Sequence, residues 1–323
     1  MDFTKHIEPL SLAAGVPVVS GELLRNHTSF GIGGPAALFA TVRTAEQAGA
    51  LLRVAAHLKI PVLVLGGGTN LLVSDDGYNG LAIRTLFSEL HIAEDCETVT
   101  VGASIASSAL VETLVSKGLA GLEFAAGLPG SVGGAVAGNA GCFGATFGER
   151  LLSATVVTSG GAIESINSPQ WFHFDYRSSR IHNANAIIVD VTLQIQPEDP
   201  VALRQISNAH IETRQTKHPP REMKTAGSYF KNLPPAAPGE WRQAAGALLD
   251  QVDAKNTAVG DAAVFEKHAN ILINRGHATA RDVLALEAIL KKRVFEKFGV
   301  TLEPEVRFEG IRPECGRAGR PSE

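Results

Sequence analysis

The chain has 323 residues, enough for two or three domains with a sizeable core. Its 45% hydrophobic and 19% charged residues are ordinary for a soluble globular protein, and a net charge of −4 with 6% aromatic residues argues against nucleic-acid binding. No apolar run approaches the roughly 18 residues of a membrane span, and the first 15 residues make a poor signal peptide. Cys96, Cys142 and Cys315 are far apart and show no metal-binding spacing, which favours a reducing, cytoplasmic location.

The N-terminal part begins with a leader, residues 1–25, whose apolar pattern predicts a short helix. The motif NHTSFGIGGPA follows, and Gly31, Gly33 and Ala36 in it formally satisfy the dinucleotide fingerprint G-x-G-x-x-A. That fingerprint needs an apolar strand before it and a helix after it. Here polar residues precede it and a strand-like run follows. We therefore interpret it as a glycine turn that leads into a strand, with a loop that contacts a cofactor as the alternative.

A βαβ unit comes next. Residues 44–58 predict a helix with a capping box formed by Thr44 and Gln47. Residues 61–65, PVLVL, form a continuous apolar run typical of a buried parallel strand. The run ends in three consecutive glycines, residues 66–68, whose N–H groups at the carboxyl end of a strand suit a pyrophosphate.

A second glycine-rich segment, GLPGSVGGAVAGNAG at residues 127–141, contains no charged residue. Each glycine costs about 0.5–1 kcal/mol relative to alanine in a helix, so we expect neither a helix nor a strand here. The other residues are too apolar for a solvated linker. Such a segment indicates that its backbone lies very close to a ligand or to another backbone. We interpret the two glycine segments as the walls of one cofactor site.

The remaining pattern is α+β. Ser104 is the predicted N-cap of a helix that ends at Gly118. The other predicted elements are a strand at 98–101, a hairpin at 151–166, an edge strand at 172–177, a strand at 186–195, helices at 199–217, 241–251 and 279–298, and strands at 271–273 and 301–307. Strands joined by hairpins rather than by regular crossovers indicate an α+β middle region.

Three polar residues are candidates for chemistry: Arg177, Ser228 and Glu305. None is specific alone, because such residues more often form a salt bridge, occupy a turn or lie solvated on a sheet edge. The chain has no G-x-S-x-G, H-E-x-x-H or GxxxxGK[ST] motif, which argues against a serine hydrolase, a zinc protease and a P-loop NTPase. No metal site is predicted.

Seven motifs occur in one order between residues 26 and 310, and together they are far more specific than any one of them. They are NHTSFGIGGPA, PVLVLGGGTNLLVSDDGYNGLAIR, GLEFAAGLPGSVGGAVAGNAGCFG, YRSSR, AGSYFKN, EKHANILIN and LEPEV. In this order they resemble the UDP-N-acetylenolpyruvoylglucosamine reductase (UDP-N-acetylmuramate dehydrogenase) family of bacterial cell-wall flavoenzymes. The compact YRSSR and AGSYFKN motifs are similar to the shorter, second type of this family.

The resemblance implies a two-lobed FAD-binding domain of the vanillyl-alcohol-oxidase (PCMH) type and a C-terminal α+β substrate-binding domain. We expect the first lobe with its leader at 1–90, the second lobe at 91–198, the substrate-binding domain at 199–312 and a disordered tail at 313–323.

The cofactors that the resemblance implies are FAD and NADPH. The two glycine segments would wrap the FAD pyrophosphate, and residues 139–141 would lie near the isoalloxazine. By motif match, the FAD-binding residues are Leu65, Gly66, Gly67, Gly68, Thr69, Asn70, Gly130, Ser131, Val132, Gly133, Gly134, Asn139, Ala140, Gly141 and Val189.

The reaction that the resemblance implies has two halves: NADPH reduces FAD, and a hydride then passes to the enolpyruvyl group of the nucleotide sugar. By motif match, Arg177 and Glu305 stabilise the charge that develops on the substrate carboxyl, and Ser228 donates the proton. Glu305 beside a second carboxylate is reasonable only if it is protonated or shares a proton. The weaker candidates for substrate binding are Tyr176, Lys231, Asn232, Lys267 and His268.

The chain departs from the family pattern at Asp261, which replaces the second of two adjacent glycines, at residues 253–256 and in the proline-rich residues 233–239. These changes concern the substrate contacts rather than the flavin site. Two alternatives stay open: an FAD-dependent oxidase on the same fold, with Cys142 as a covalent tether, and a non-catalytic flavin- or nucleotide-sugar-binding module. The expected partners are the nucleotide-sugar substrate and NADPH, with no obligate protein partner.

Overall fold

The structure is a computed structural model that describes residues 3–184, 186–235, 237 and 239–311. The predicted disordered tail and Cys315 lie outside the described residues. Within those ranges the α-helices are α1 (Ile7–Ala14), α2 (Ala45–His57), α3 (Ser107–Ser116), α4 (Val132–Ala137), α5 (Pro200–Lys217), α6 (Ala245–Asp250) and α7 (Ala280–Phe298). Short 3-10 helices lie at Thr4–His6, Leu24–His27, Glu123–Ala125, Pro169–Phe172, Arg180–Asn183 and Ala254–Asn256.

The strands of the described residues are short, and most belong to three sheets. In chain order they are β1 (Val18–Val19), β2 (Ala36–Val42), β3 (Val62–Leu65), β4 (Leu71–Val73), β5 (Tyr78–Thr85), β6 (Leu90–Ile92), β7 (Thr98–Gly102), β8 (Leu119–Ala120), β9 (Gly141–Cys142), β10 (Ala145–Thr146), β11 (Leu151–Val157), β12 (Ile163–Ile166), β13 (Ile187–Gln194), β14 (Gln196–Pro197), β15 (Lys224–Ser228), β16 (Ala258–Val259), β17 (Ala262–Phe265), β18 (His268–Asn274) and β19 (Arg307–Glu309).

The first lobe is a four-stranded sheet in the order β1-β2-β5-β3, in which β2, β5 and β3 are parallel. Helix α2 connects β2 to β3, which confirms the predicted βαβ unit, and β5 inserts between its two strands. At the start of α2, Thr44 Oγ1 accepts the N–H of Gln47 at 3.3 Å. The Gln47 side chain in turn accepts the N–H of Arg43 at 2.8 Å, one residue earlier than a capping box requires.

The second lobe is an antiparallel sheet in the order β12-β11-β13-β7-β6, and it shares one hydrophobic core with the first lobe. Helix α5 packs against α3 of this lobe. The predicted N-cap of α3 was wrong. Ser104 Oγ instead accepts the N–H of Phe87 at 2.9 Å and donates to Thr85 Oγ1 at 3.0 Å, so it joins two strand ends and the helix starts at Ser107.

The predicted edge strand at 172–177 is also absent from the described structure. Phe172 closes a 3-10 helix and is fully buried, and its ring stacks on Phe174 at 5.2 Å. The chain then makes a tight turn in which Asp175 and Ser178 exchange two backbone hydrogen bonds of 3.1 and 3.2 Å. The apolar alternation therefore reflects two aromatic rings packed on one core, not a paired strand.

The third unit consists of the sheet β15-β18-β17-β16 with α6 and α7, around a core of its own. The predicted strand at 301–307 is shorter and later than expected, because β19 pairs in parallel with β4 of the first lobe. The residues before it run beside β15: the N–H of Glu305 donates to the carbonyl of Tyr229 at 2.8 Å. The capping box of Thr279 and Asp282 on α7 is confirmed.

Asp75 of the first lobe binds the N-terminus of α7 in the third unit. Its carboxylate accepts the N–H groups of Ala280 and Arg281 at 2.7 and 3.2 Å, so it satisfies the first turn of α7 from another part of the fold. The parallel β4–β19 pair lies next to this contact. Asp75 is therefore a cap that acts across a domain boundary.

We predict that Asp75→Ala lowers the free energy of unfolding by about 1–2 kcal/mol, because two helix N–H donors lose their acceptor. Urea unfolding followed by circular dichroism measures the change. The matched control is Asp76→Ala, since Asp76 is exposed and the one ion pair that it makes within the described ranges, to Arg281, is 4.0 Å long. Equal midpoints for Asp75→Ala and Asp76→Ala would contradict the cross-domain cap.

Candidate functional site

A cavity of about 450 Å³ lies where the three units meet. Both glycine segments line it, together with Arg177, Ser228 and Glu305. Residues that are far apart in the chain therefore share one pocket. The two glycine segments thus form walls of one site, as predicted from the sequence, and the three candidates for chemistry lie in the same site.

The two glycine segments touch through their backbones. A Cβ atom on Gly67 would lie 2.8 Å from the Cα of Gly130 and 2.9 Å from the backbone N of Ser131. Gly130 has φ +104°, and a Cβ there would meet Thr69 Oγ1 at 2.6 Å. The side chain of Ser131 accepts the N–H of Gly67 at 3.3 Å. Close approach, which only glycine permits, is thus the reason for this composition.

The second glycine segment contains a helix, α4, which the sequence analysis did not expect. Ser131 is its N-cap and accepts the N–H of Gly134 at 3.3 Å. The prediction was wrong because it weighed the cost of glycine without the packing that glycine allows. A Cβ on Gly133 would lie 2.6 Å from the Cβ of Ala103, so a glycine lets the helix lie directly against the end of β7 in its own lobe.

Several backbone N–H groups of the cavity wall, though not all of them, have no acceptor in the part of the chain that the structure describes. Among the described residues, the amides of Gly68, Thr69, Asn70, Gly130 and Ser131 have no hydrogen-bond acceptor, and all five residues line the cavity. Consecutive unpaired amides attract an anion. The donor set therefore fits a pyrophosphate, and the glycine backbones beside it leave room for a flat ring.

Arg177 and Glu305 form an ion pair in the cavity wall. Arg177 Nε lies 2.8 Å from Glu305 Oε1, but its N–H is not aimed at that oxygen, so the contact is electrostatic rather than an aligned hydrogen bond. Arg177 Nη2 donates to the carbonyl of Gly141 at 3.0 Å. The side chains keep 26% and 18% of their exposure, so both can reach a ligand.

Burial raises the pKa of the Glu305 carboxyl above its ordinary value, and the charges of Arg177 and Lys231 offset only part of this rise. The protonated form of Glu305 is therefore populated at higher pH than for a solvated glutamate. A protonated carboxyl can donate a hydrogen bond to a second carboxylate, whereas two ionised carboxylates would repel each other.

Ser228 ends β15 at an irregularity in the sheet. Gly227 before it has φ +77° and lies at a register shift between Thr225 and Ser228. Such a bulge re-aims the following side chain. The next carbonyl, of Tyr229, accepts the N–H of Glu305, so the backbone that carries Ser228 also holds Glu305. The side-chain amide of Asn70 donates to the carbonyl of Glu305 at 3.2 Å and links this pair to the first glycine segment.

Comparisons with known proteins agree with this geometry. The family model described as UDP-N-acetylenolpyruvoylglucosamine reductase, C-terminal domain, matches residues 218–309, and an FAD binding domain model matches residues 36–167. The chain is 40% identical to UDP-N-acetylenolpyruvoylglucosamine reductase 2 of Symbiobacterium thermophilum over 90% of this chain and 92% of that protein. It is 36% identical to the reductase of Moorella thermoacetica over 96% and 99% of the two chains.

The chain belongs to the UDP-N-acetylenolpyruvoylglucosamine reductase family. The crystal structure of the Thermus caldophilus reductase has 33% identity and a TM-score of 0.74, and the match covers 91% of this chain and 98% of that one. The α+β fold class with an FAD-binding domain and a C-terminal domain is confirmed. No helix among the described residues is long and apolar enough to cross a membrane.

Four predicted FAD-binding residues of this family member lie outside the cavity wall. Leu65 and Val132 are buried core residues, and Val189 contributes its carbonyl to the Ala103 N–H at 2.8 Å. Asn139 is 8% exposed, and its side chain binds the Asp175 carbonyl and the Gly148 N–H, both at 3.0 Å. These residues shape the backbone behind the wall.

The weaker substrate candidates also lie outside the wall. Tyr176 and Asn232 contact each other, since the N–H of Asn232 donates to the Tyr176 hydroxyl at 3.2 Å. Lys231 pairs with Glu303 at 3.6 Å, and Lys267 is exposed. The ring of His268 lies 5.7 Å from that of His218, which does line the cavity.

Sequence reasoning missed several residues of the wall, above all Arg214 and His218. Both stand at the end of α5, four positions apart and therefore on one side of the helix. Burial and the neighbouring Arg214 charge lower the pKa of His218 to about 4, so its ring is neutral at neutral pH. The helical spacing was a usable signal, but the contact of α5 with the second lobe was not visible in the sequence.

Cys142 also lines the cavity, but its environment does not activate it. Its thiol donates to the carbonyl of Phe124, and Arg214 Nη2 donates to its sulfur, both at 2.7 Å. Burial raises the pKa of the thiol despite the charges of Arg214 and Arg177. A protonated thiol is a poor nucleophile, so this environment does not favour a covalent flavin tether.

The departures from the family pattern lie away from the wall of the cavity. Asp261 serves a turn, where its carboxylate accepts the N–H of His277 at 2.8 Å. Residues 254–256 form a 3-10 helix. The proline-rich loop is closed by a hydrogen bond of 3.0 Å from the N–H of Leu233 to the carbonyl of Gln243.

We predict that Gly67→Ala weakens FAD binding, because its Cβ would push apart the two backbones that carry the free amides. Overpacking costs about 1–3 kcal/mol, which corresponds to a loss of affinity of about 5- to 150-fold. Fluorescence titration of the apoprotein with FAD measures this. The control is Gly160→Ala, whose Cβ meets nothing within 4 Å. Equal affinity in both variants would contradict the role given to the backbone contact.

Proposed function

We propose that the chain catalyses the NADPH-dependent, FAD-mediated reduction of UDP-N-acetyl-enolpyruvoylglucosamine to UDP-N-acetylmuramate, a step of peptidoglycan synthesis. One observation carries this: the cavity with five free backbone amides also contains Arg177, Glu305 and Ser228. Membership of the reductase family supports it. FAD, when bound, accepts a hydride from NADPH and delivers one to the substrate. Residues 66–70 and 130–134 would hold its pyrophosphate.

The Arg177–Glu305 pair suits the substrate carboxyl, where negative charge develops. The Arg177 guanidinium is permanently charged, and it would bind one carboxylate oxygen. Glu305, whose pKa is raised, would donate a hydrogen bond from its protonated carboxyl to the other oxygen. Each residue thus stabilises the charge that forms as the double bond is reduced.

Ser228 would supply the proton to the carbon next to the carboxyl. Ser228 lines the cavity, and its hydroxyl has no hydrogen-bond partner among the described residues, so it is available to a ligand. A serine hydroxyl is a weak acid, and it can act only because the enolate-like acceptor is strongly basic. The positive charge of Arg177 lies in the same wall, beside Glu305, and would stabilise the resulting alkoxide.

The proposal extends to organisation and location. The first two units, residues 1–90 and 91–198, would hold FAD, and residues 199–312 would bind the nucleotide sugar. Helix α5, which packs on the second lobe, would connect the two parts. The isolated cysteines support a cytoplasmic location.

We predict that Ser228→Ala leaves the reduction of bound flavin by NADPH unchanged but lowers turnover of the enolpyruvyl substrate by about 100-fold or more, because general-acid catalysis contributes 10²–10⁴-fold. Anaerobic stopped-flow absorbance separates the two half-reactions. Ser165→Ala, on the exposed strand β12, is the control. Normal substrate turnover in Ser228→Ala would contradict the proton-donor role.

We also predict a pH effect that depends on Glu305. Substrate reduction should fall as the pH rises through the raised pKa of Glu305, because the ionised carboxylate repels the substrate carboxylate. Glu305→Gln, which is neutral at every pH, should lose this alkaline decline and keep partial activity. The pH profile of the substrate half-reaction tests this, and an unchanged decline in Glu305→Gln would assign it to another group.

A further inference from the structure

The conformation of Arg177 depends on a strained turn. In the turn 175–178, Ser178 donates its N–H to the carbonyl of Asp175, and Arg177 at the third position has φ +54°. A positive φ at this position is the mark of a type II turn, which favours glycine. A flip of the 176–177 peptide would give the more common type I turn and would move the Arg177 side chain. The observed turn therefore requires contacts that keep Tyr176 in place and prevent this peptide flip.

Two contacts from the third unit hold Tyr176. Its hydroxyl accepts the N–H of Asn232 at 3.2 Å, and the guanidinium of Arg242 lies 3.7 Å from the centre of its ring. A cation at that distance from an aromatic face is attracted by the ring quadrupole. Tyr176 is therefore bound at both its hydroxyl and its ring.

Arg242 is itself fixed in place. Its Nε and Nη2 donate to the carbonyl of Asn232 at 3.4 and 3.3 Å, and the side-chain oxygen of Asn232 accepts the N–H of Ala245 at 3.2 Å. Among the described residues, Arg242 has no carboxylate within ion-pair distance. Its charge is thus directed at the ring of Tyr176 and at one carbonyl.

We propose that Arg242 is a positioning residue that acts through Tyr176 to keep Arg177 in its strained conformation beside Glu305. Arg242 is not among the residues that line the cavity. The proline-rich residues 233–239 precede Arg242 in the chain. In this proposal their role is to place the Arg242 guanidinium against Tyr176 of the second lobe. The inference rests on the proposed function for its kinetic readout, but the geometry of the turn tests it independently.

The kinetic test compares Arg242→Gln, Arg242→Lys, Tyr176→Leu and the double variant Arg242→Gln/Tyr176→Leu. Arg242→Gln should lower kcat for substrate reduction by about tenfold, since a displaced group loses orientation, and should leave flavin reduction by NADPH unchanged. Arg242→Lys should recover part of the loss, because the charge remains but the planar stack does not. Because Arg242 acts through Tyr176, the double variant should be no slower than Tyr176→Leu alone.

The control is Arg43→Gln, which removes an exposed arginine of the first lobe. A rise in KM with unchanged kcat in Arg242→Gln would mean that Arg242 binds substrate and would overturn the proposal. Additive losses in the double variant would also overturn it. If the wild-type protein fails to reduce the substrate, the proposed function fails, and a crystal structure of Arg242→Gln then decides: a negative φ at residue 177 supports the positioning role, and a retained positive φ refutes it.

Discussion

The contact between the backbones at Gly67 and Gly130 is the constraint on which the rest of the structure depends. It brings the carboxyl end of β3 against the N-terminus of α4. Five amides around the cavity are left without an acceptor among the residues that the structure describes. Side chains at these positions would separate the two segments and move their backbone N–H groups away from each other. An anion-binding surface made of backbone alone therefore requires glycine on both sides.

The same contact sets the position of the chemical groups. Asn70, at the end of the first glycine segment, binds the carbonyl of Glu305, and the carbonyl of Gly141, at the end of the second, binds Arg177. Each member of the ion pair is thus tied to one of the two segments. The third unit adds Ser228, and the carbonyl of the next residue, Tyr229, accepts the N–H of Glu305. Displacement of either glycine segment would therefore be transmitted to the residues proposed to bind the substrate carboxyl.

Much of this was visible in the sequence, where the evidence was local. The capping box of α7 and the βαβ unit follow from short sequence patterns. The composition of the two glycine segments predicted that their backbones lie close to a ligand or to another backbone. The errors came from packing across long distances. Helix α4 forms despite its glycines because Gly133 packs closely against Ala103. Ser104 does not cap α3 because its hydroxyl accepts the N–H of Phe87. The contribution of His218 depends on where α5 docks, which no local pattern encodes.

The backbone cradle would hold FAD so that electrons pass from NADPH to an enolpyruvyl nucleotide sugar. The most direct measurement is an anaerobic absorbance spectrum of the purified protein, recorded before NADPH, after NADPH and after the substrate is added. We expect a yellow protein whose flavin band is bleached by NADPH and restored by the substrate. A colourless protein that cannot be reconstituted with FAD, or a bleached flavin that the substrate fails to reoxidise, would contradict it.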